Sequence, residues 1–209
     1  MTPGQVHPPI TLHVRDLVWG RGGMAFHDGL DFSLRPGRCL LLRGPNGTGK
    51  TTLLLTLGGT VSPLDGDFEV EGAGDEPVLH YCGHRNAIKA RLSVRENLDF
   101  WRAVNGATGT TPEEALEIVG LGALGTLDAG YLSAGQGRRL ALARLLVSHR
   151  PLWLLDEPTA ALDAEGHRLV GTLLDGHLAG GGMAVIATHD AIILSEPERL
   201  ETLVLGVQA

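Results

Sequence analysis

Hydrophobic and polar positions follow a β-type pattern in three parts of the chain. Between residues 11 and 19, apolar residues such as Leu12 and Val14 alternate with polar ones, and the alternation returns at residues 67–71. Residues 24–34 form a further β-like segment that ends at an Arg-Pro-Gly turn. Alternation of this kind predicts strands that are half exposed to solvent.

Four other runs are almost continuously apolar and predict buried strands. They occupy residues 39–42, 77–81, 151–155 and 183–187. The third run is followed directly by two acidic residues, Asp156 and Glu157.

Helical patterns lie between these runs. Ser93 with Glu96, and Ser133 with Gln136, have the spacing of capping boxes at helix starts. Helices are therefore predicted at 51–57, 93–104, 111–120, 133–147 and 164–178.

Buried strands that alternate with helices predict an α/β fold around a parallel sheet, with its chemistry at the carboxyl ends of the strands. Residues 83–148 are mostly helical in this prediction and form a helical subdomain inserted into the β-rich and α/β parts. Length and a hydrophobic content of 43% fit one domain over residues 1–209.

Composition narrows the possible partners. The net charge of −7 argues against nucleic acid as the main partner, and no apolar run is long enough to span a membrane. The two cysteines, Cys39 and Cys82, lie in or beside apolar runs, which favours buried free thiols in a reducing compartment.

The segment from Gly44 to Thr51 fits the phosphate-binding pattern G-x-x-x-x-G-K-[ST], and it joins a predicted strand to a predicted helix. In such a loop, backbone N–H groups and the helix N-terminus surround phosphate oxygens. Lys50 would reach the β- and γ-phosphates of a nucleotide, and the Thr51 hydroxyl would bind Mg²⁺. The other predicted nucleotide contacts are Asn46, Gly47, Thr48, Gly49 and Thr52.

A plain glycine-rich turn is the alternative to a phosphate-binding loop. Lysine occurs only twice in a chain with 15 arginines, and one of the two is Lys50, which favours the phosphate site.

The acidic pair after the third buried strand is the natural partner of the phosphate loop. Asp156 would hold Mg²⁺, usually through water, and Glu157 would act as general base towards the attacking water. The alternative is a pair of solvated acids at a strand end.

With these motifs in place, the chain resembles the ATPase subunits of ABC transporters over residues 10–195. The matching pieces are the phosphate loop, Leu132–Gln136 as the signature, Leu152–Glu157, Ala161–Asp163 and the switch His189, all in the family's order. The resemblance implies a P-loop NTPase fold with an N-terminal antiparallel β subdomain, and an ATP-driven homodimer. Its signature residues Ser133, Ala134, Gly135 and Gln136, with Asp163, would act on ATP held by the other subunit. His189 would contact the γ-phosphate of its own subunit's ATP. A P-loop kinase or GTPase would have neither the signature nor the switch.

Within that family, the chain is similar to the ATP-binding subunits of the haem exporter used in cytochrome c maturation. The likeness rests on the Ser-Ala-Gly-Gln signature and on residues 83–89, 96–101 and 150–157. It implies haem export or delivery, multi-span membrane subunits as partners, and a peripheral place on the cytoplasmic face of the bacterial inner membrane. A subunit of another small-molecule exporter, or a soluble ABC ATPase without a transport role, is the alternative.

Two positions depart from the family's pattern. His84 stands where the family usually has a glutamine that touches Mg²⁺ and the attacking water. An imidazole accepts a hydrogen bond only when neutral, so His84 as a catalytic group would make activity depend on pH. The aromatic residue that usually stacks on adenine is displaced, and either Arg21 or Trp19 would take that role. Each of these residues is equally compatible with a plain surface or strand position.

The loop from His84 to Arg91 is basic in an otherwise acidic chain. It leads from the predicted nucleotide site into the helical segment, so we expect Ile88 and Lys89 to dock on a membrane partner. A solvated basic loop without a partner is the alternative.

Overall fold

The computed structural model describes residues 6–206, and its elements follow the α/β pattern. Within that range the strands are β1 Thr11–Val18, β2 Gly20–Arg21, β3 Met24–Ala25, β4 Phe32–Leu34, β5 Cys39–Arg43, β6 Asp65–Glu71, β7 Leu79–Cys82, β8 Leu152–Asp156, β9 Met183–Ala187 and β10 Leu200–Val204. The helices are α1 Lys50–Leu57, α2 Val94–Asn105, α3 Pro112–Ile118, α4 Ala134–Val147 and α5 Ala164–Ala179.

A five-stranded parallel sheet forms the centre of the molecule, in the order β10-β5-β9-β8-β7. Leu42 at the end of β5 pairs with Ala187 at the end of β9, and Ala187 pairs with Asp156 at the end of β8. The segments that follow these three strands therefore leave the sheet side by side. This register brings the phosphate loop, the acidic pair and the segment containing His189 to one edge.

Three apolar clusters hold the layers together. The first joins β1 of the antiparallel sheet β4-β1-β6 to one face of the parallel sheet and to α1. The second packs α5 and part of α4 on the opposite face. The third belongs mainly to α2, α3 and α4, and it gives the helical segment a core of its own. Residues 83–148 remain a predicted subdomain, which this separate cluster supports.

Most elements lie where the pattern predicts them. The predicted capping boxes at Ser93 and Ser133 are both formed, and Thr111 forms a third. One expectation was wrong, and one strand was missed. The predicted β segment 24–34 contains only the short strands β3 and β4, because the chain turns between them at Gly29, whose φ of 84° lies in the left-handed region. Strand β10 was missed because it is a short edge strand with a half-exposed pattern that lacks a continuous apolar run.

No helix in residues 6–206 has both the length and the apolar character to cross a membrane.

Buried histidines cluster where the strands of the parallel sheet begin. The His177 ring stacks on Trp153 with centroids 3.8 Å apart, and the His7 ring meets His177 edge-on at 4.8 Å. Burial lowers the pKa of His177 to about 3 and the pKa of His7 and His80 to about 4. Smaller contributions come from neighbouring histidines and, at His80, from nearby arginines. The folded protein therefore favours the neutral form of these side chains.

This cluster predicts a loss of stability in mild acid. The unfolded chain takes up these protons near the ordinary pKa of 6.5, while the folded chain resists until about 4 or below. The stabilisation is fully present above pH 6.5 and is lost as the pH falls towards 4. His177→Phe keeps a ring against Trp153 and should reduce the slope of unfolding free energy against pH by about 1 kcal/mol per pH unit.

Denaturant unfolding between about pH 4.5 and 6.5 measures that slope. His167, on the same helix but partly exposed, provides the matched control in His167→Gln. An unchanged slope in His177→Phe would show that the cluster does not control acid stability.

Candidate active site

The phosphate loop depends on glycine at specific points. Gly47 and Gly49 have φ angles of 88° and 86°, which L side chains rarely adopt. Gly49 also caps α1, and a Cβ built there would lie 2.6 Å from the Phe26 ring and 2.7 Å from the indole nitrogen of Trp19. The loop can therefore turn into the helix only with glycine at this position.

Lys50 lies on the inner side of this loop. Its Nζ donates to the carbonyl oxygens of Gly44 at 2.7 Å and Pro45 at 3.0 Å. The residue is only 8% exposed, so its ammonium group is held at the loop rather than extended into solvent. This places a compact positive charge at the loop, where backbone N–H groups of such loops would hold an anion.

The two carboxylates of the acidic pair have different surroundings. Asp156 is buried, and its Oδ2 accepts from the Thr51 hydroxyl at 3.0 Å. Burial raises the pKa of Asp156, whereas the Thr51 hydrogen bond and the nearby Arg138 guanidinium oppose that rise. A cation beside this carboxylate would favour its ionised form further.

Glu157 is held in an uncommon backbone conformation, with a φ of 48°. Its N–H donates to the Ala187 carbonyl at 2.7 Å, and its Oε2 accepts from the Thr188 hydroxyl at 2.8 Å. The backbone of Glu157 is thus held by the end of β9, and one of its carboxylate oxygens is held by the segment after β9. The other oxygen, Oε1, lies 3.8 Å from His189 Nε2.

His189 connects the acidic pair to the phosphate loop. Its Nε2 hydrogen-bonds Asn46 Oδ1 at 2.8 Å, and Asn46 belongs to the loop. A single pocket is lined by Arg21, Phe26, Asn46, Gly47, Gly49, Lys50, Thr51, Thr52, His84, Asp156, Glu157 and His189. The structure therefore brings together most of the residues predicted from the sequence, including His84.

Arg43 was missed by the sequence analysis. Its guanidinium donates to the carbonyl oxygens of Thr188 at 3.1 Å and Asp190 at 2.6 Å, which flank His189. It therefore holds the switch histidine's backbone against the strand that leads into the phosphate loop. The motif gives no signal for this role, because Arg43 precedes its first glycine and its partners lie about 145 residues away.

Of the two predicted adenine contacts, Arg21 lines the pocket and Trp19 does not. Trp19 is fully buried, and its indole N–H donates to the Gly49 carbonyl at 3.0 Å, so it supports the phosphate loop. Phe26, which the sequence analysis did not single out, also lines the pocket and is 37% exposed. Its backbone N–H pairs with the Trp19 carbonyl at 2.9 Å.

The signature residues lie apart from this pocket. Ser133 caps α4 through the backbone N–H of Gln136, and Ser133 and Ala134 are exposed. A Cβ built at Gly135 would lie 2.8 Å from the Ala161 carbonyl, so the signature packs closely against the loop that ends at Asp163. Asp163 caps α5 by accepting from the Gly166 N–H at 2.8 Å. In the described part of the chain, none of Ser133, Ala134, Gly135, Gln136 and Asp163 lines the pocket.

The donor set fits Mg²⁺ with a nucleotide phosphate. Thr51 and Asp156 offer a hydroxyl and a carboxylate oxygen 3.0 Å apart, next to the lysine of the loop. Hard oxygen ligands beside a phosphate site are typical of Mg²⁺ in nucleotide-hydrolysing proteins.

A phosphate loop, a strand-end acidic pair and His189 in one pocket are the arrangement of a nucleotide-hydrolysing cassette. Comparison with known proteins agrees: residues 27–160 match the model of the ABC transporter family. The chain therefore belongs to the ABC transporter family, and it is an ATPase that powers a transporter.

The relatives place it within a branch of that family. The chain is 52% identical over 174 residues to the cytochrome c biogenesis ATP-binding export protein CcmA of Mesorhizobium japonicum. This alignment covers 81% of this chain and 87% of the relative. It is 53% identical over 180 residues to the protein of the same name from Ruegeria pomeroyi. That alignment covers 86% of this chain and 85% of the relative. The chain is thus a CcmA-like member of the family.

Solved structures give the same fold. An ABC transporter ATP-binding protein from Pyrococcus furiosus superposes with a TM-score of 0.80 at 27% identity, covering 92% of this chain and 97% of that one. A dimeric ATP-binding cassette solved in a post-hydrolysis state with ADP and Pi superposes with a TM-score of 0.75 at 21% identity, covering 86% and 88%.

The position of Phe26 predicts that this ring stacks on adenine. Base–aromatic stacking contributes about 1–3 kcal/mol, so Phe26→Ala should weaken ATP binding by about 5- to 100-fold, while Phe26→Tyr stays near wild type. Equilibrium binding of a fluorescent ATP analogue measures this. Met24→Ala, an exposed change on the same short hairpin, is the control. If Phe26→Ala binds normally and Arg21→Ala does not, the contact belongs to Arg21.

Proposed function

We propose that this chain is the ATP-hydrolysing subunit of an exporter that serves cytochrome c biogenesis, with haem export or delivery as its task. The single observation that carries the enzymatic part is the pocket in which Lys50, Glu157 and His189 meet. The names of the relatives support the biological assignment. The chain would work as a peripheral subunit on the cytoplasmic face of the bacterial inner membrane.

In the proposed reaction, the loop N–H groups and Lys50 hold the β- and γ-phosphates of ATP. Thr51 and Asp156 would hold Mg²⁺, which when bound neutralises the developing charge on the phosphate oxygens. Glu157 would accept a proton from the attacking water. The Thr188 hydroxyl fixes Glu157 Oε2, so the free oxygen Oε1 is directed to the side of the pocket near His189.

His189 would contact the γ-phosphate and connect it to the other groups of the site. Its ring already bridges Asn46 of the phosphate loop and the region of Glu157, and Arg43 fixes its backbone on both sides. His84, at the pocket's other side, would orient the attacking water when its imidazole is neutral.

The signature residues would act on a second copy of the chain. Ser133 and Ala134 are exposed at the start of α4 and do not line their own pocket. A head-to-tail homodimer would bring them, with Gly135, Gln136 and Asp163, to the γ-phosphate held by the partner. The N-terminus of α4 would then face that anion.

Docking on multi-span membrane subunits would use the loop after β7, with one change from the expectation above. Ile88 packs against the core of the helical segment and near Gly137, so it stabilises the loop from inside. Arg85 and Lys89 are exposed, and the Lys89 ammonium lies 4.1 Å above the Phe100 ring. We assign the docking contact to these two cations instead of Ile88.

The assignment of the base predicts a separation between binding and turnover. Glu157→Gln should reduce ATP hydrolysis by about 10²- to 10⁴-fold and keep ATP affinity, since a positioned base contributes about that much. Lys50→Ala should weaken ATP binding itself. Glu201→Gln removes an exposed carboxylate on β10 and is the control. If Glu157→Gln keeps more than about a tenth of wild-type turnover, another group is the base.

The biological assignment predicts a specific phenotype. In the bacterium that encodes this chain, replacing the chromosomal copy with Glu157→Gln should abolish covalent haem attachment to c-type cytochromes and leave b-type haem proteins at normal levels. Haem staining of membrane proteins and optical spectra measure both. A tagged wild-type chain should also copurify with a multi-span protein from detergent-solubilised membranes. Normal c-type cytochromes beside an inactive ATPase would point to another cargo.

A further inference from the structure

Arg138 is a buried cation, and only 2% of the residue is exposed. Each of its five N–H groups has a partner. Nε donates to the Pro158 carbonyl at 3.2 Å, and Nη2 donates to the carbonyls of Asp156 at 2.7 Å and Glu157 at 2.8 Å. Nη1 donates to the Gly83 carbonyl at 2.8 Å and to Asn86 Oδ1 at 3.0 Å.

These partners belong to separate parts of the active site. Asp156 and Glu157 carry the carboxylates, and Gly83 directly precedes His84 in the pocket. Arg138 itself lies on α4, two residues after Gln136 of the signature. One side chain therefore ties the backbone of the acidic pair to the loop of His84 and to the helix that presents the signature.

The backbone of the acidic pair needs such support. Asp156 is the last residue of β8, and the chain leaves the sheet at Glu157 with a φ of 48°. A backbone in this region is retained only where its surroundings hold it. Glu157 is held on one side by its N–H to Ala187 and on the other by Arg138 at its carbonyl.

Arg138 acts on the backbone of the acidic pair and not on its carboxylates. Within residues 6–206 the partners of its guanidinium are four carbonyls and one amide oxygen. The carboxylate oxygens of Asp156 and Glu157 are therefore left free for other partners.

We propose that Arg138 is a positioning residue for ATP hydrolysis, which fixes the backbone of Asp156 and Glu157 and couples it to the signature helix. This inference rests on the proposed role of Glu157 as base. The Arg138 guanidinium belongs to α4 and bonds the backbone at the end of β8. A displacement of the signature at the start of α4 would therefore be transmitted to the carboxylates of Asp156 and Glu157.

The test separates positioning from folding. Arg138→Met keeps a long apolar stem and removes all five hydrogen bonds. It should lower kcat by about 10- to 100-fold, because misplacing a reacting group by about 1 Å costs up to about 10² in rate. The Kd for ATP should stay within about 2-fold, since the Lys50 contacts are untouched. Arg138→Lys keeps the charge but has only three N–H donors, so it should recover part of kcat.

Arg144→Met is the matched control. Arg144 lies on the same helix and donates to the carbonyls of Tyr81 at 3.2 Å and Asn86 at 3.0 Å, with no bond to residues 156–158. It should lower thermal stability comparably and keep kcat within about 3-fold. Measurements use the full chain in complex with the membrane protein that copurifies with it.

Three outcomes would overturn the inference: kcat within about 3-fold of wild type in Arg138→Met, a parallel loss of ATP binding, or an equal loss of kcat in Arg144→Met. If Arg138→Met does not fold, Arg138→Lys decides, and wild-type kcat there refutes the role. Should Glu157→Gln keep its turnover, the base assignment fails. If Arg138→Met keeps its turnover while Glu157→Gln loses it, the positioning role fails and the base assignment stands.

Discussion

Parallel pairing of β5, β9 and β8 is the constraint on which the rest of the structure depends. Their shared register ends the three strands together, so the chain must leave the sheet three times at one edge. At that edge the backbone loses its ladder partners, and its buried polar groups need others. The phosphate loop, the acidic pair and the switch histidine are the segments that leave there. Their mutual hydrogen bonds follow from that placement.

Several groups that hold this edge are of kinds that usually lower the stability of a folded protein. Glu157 adopts a left-handed backbone, and Lys50, Arg43 and Arg138 donate mainly to carbonyl oxygens. Buried cations and strained backbone lower stability unless their surroundings compensate for them. Here each supports a group of the site: the loop, the switch histidine or the acidic pair. These hydrogen bonds hold the backbone around the site in place, and groups fixed in this way are the condition for electrostatic catalysis.

Helix α4 connects the helical segment to this edge. Its residues Leu140, Ala143 and Val147 belong to the apolar cluster of the helical segment, whereas its residues Ala141, Leu142 and Leu145 belong to the second cluster, on the parallel sheet. Arg138 and Arg144 of the same helix bond carbonyls at the ends of β8 and β7. A partner that moves the helical segment would therefore act on this edge through α4.

Local chemistry explains which features the sequence by itself determined. The phosphate loop, the capping boxes at Ser93 and Ser133, the buried strands and the acidic pair are specified by neighbouring residues, so their patterns predicted them. The place of Trp19 beneath the loop, the pocket-lining Phe26, the clamps of Arg43 and Arg138 and the edge strand β10 were decided only by the tertiary structure. The partners of Arg43 lie about 145 residues away and those of Arg138 up to 55 residues away. A side chain whose role is to satisfy distant backbone carbonyls has no local pattern, because its partners exist only once the sheet has formed.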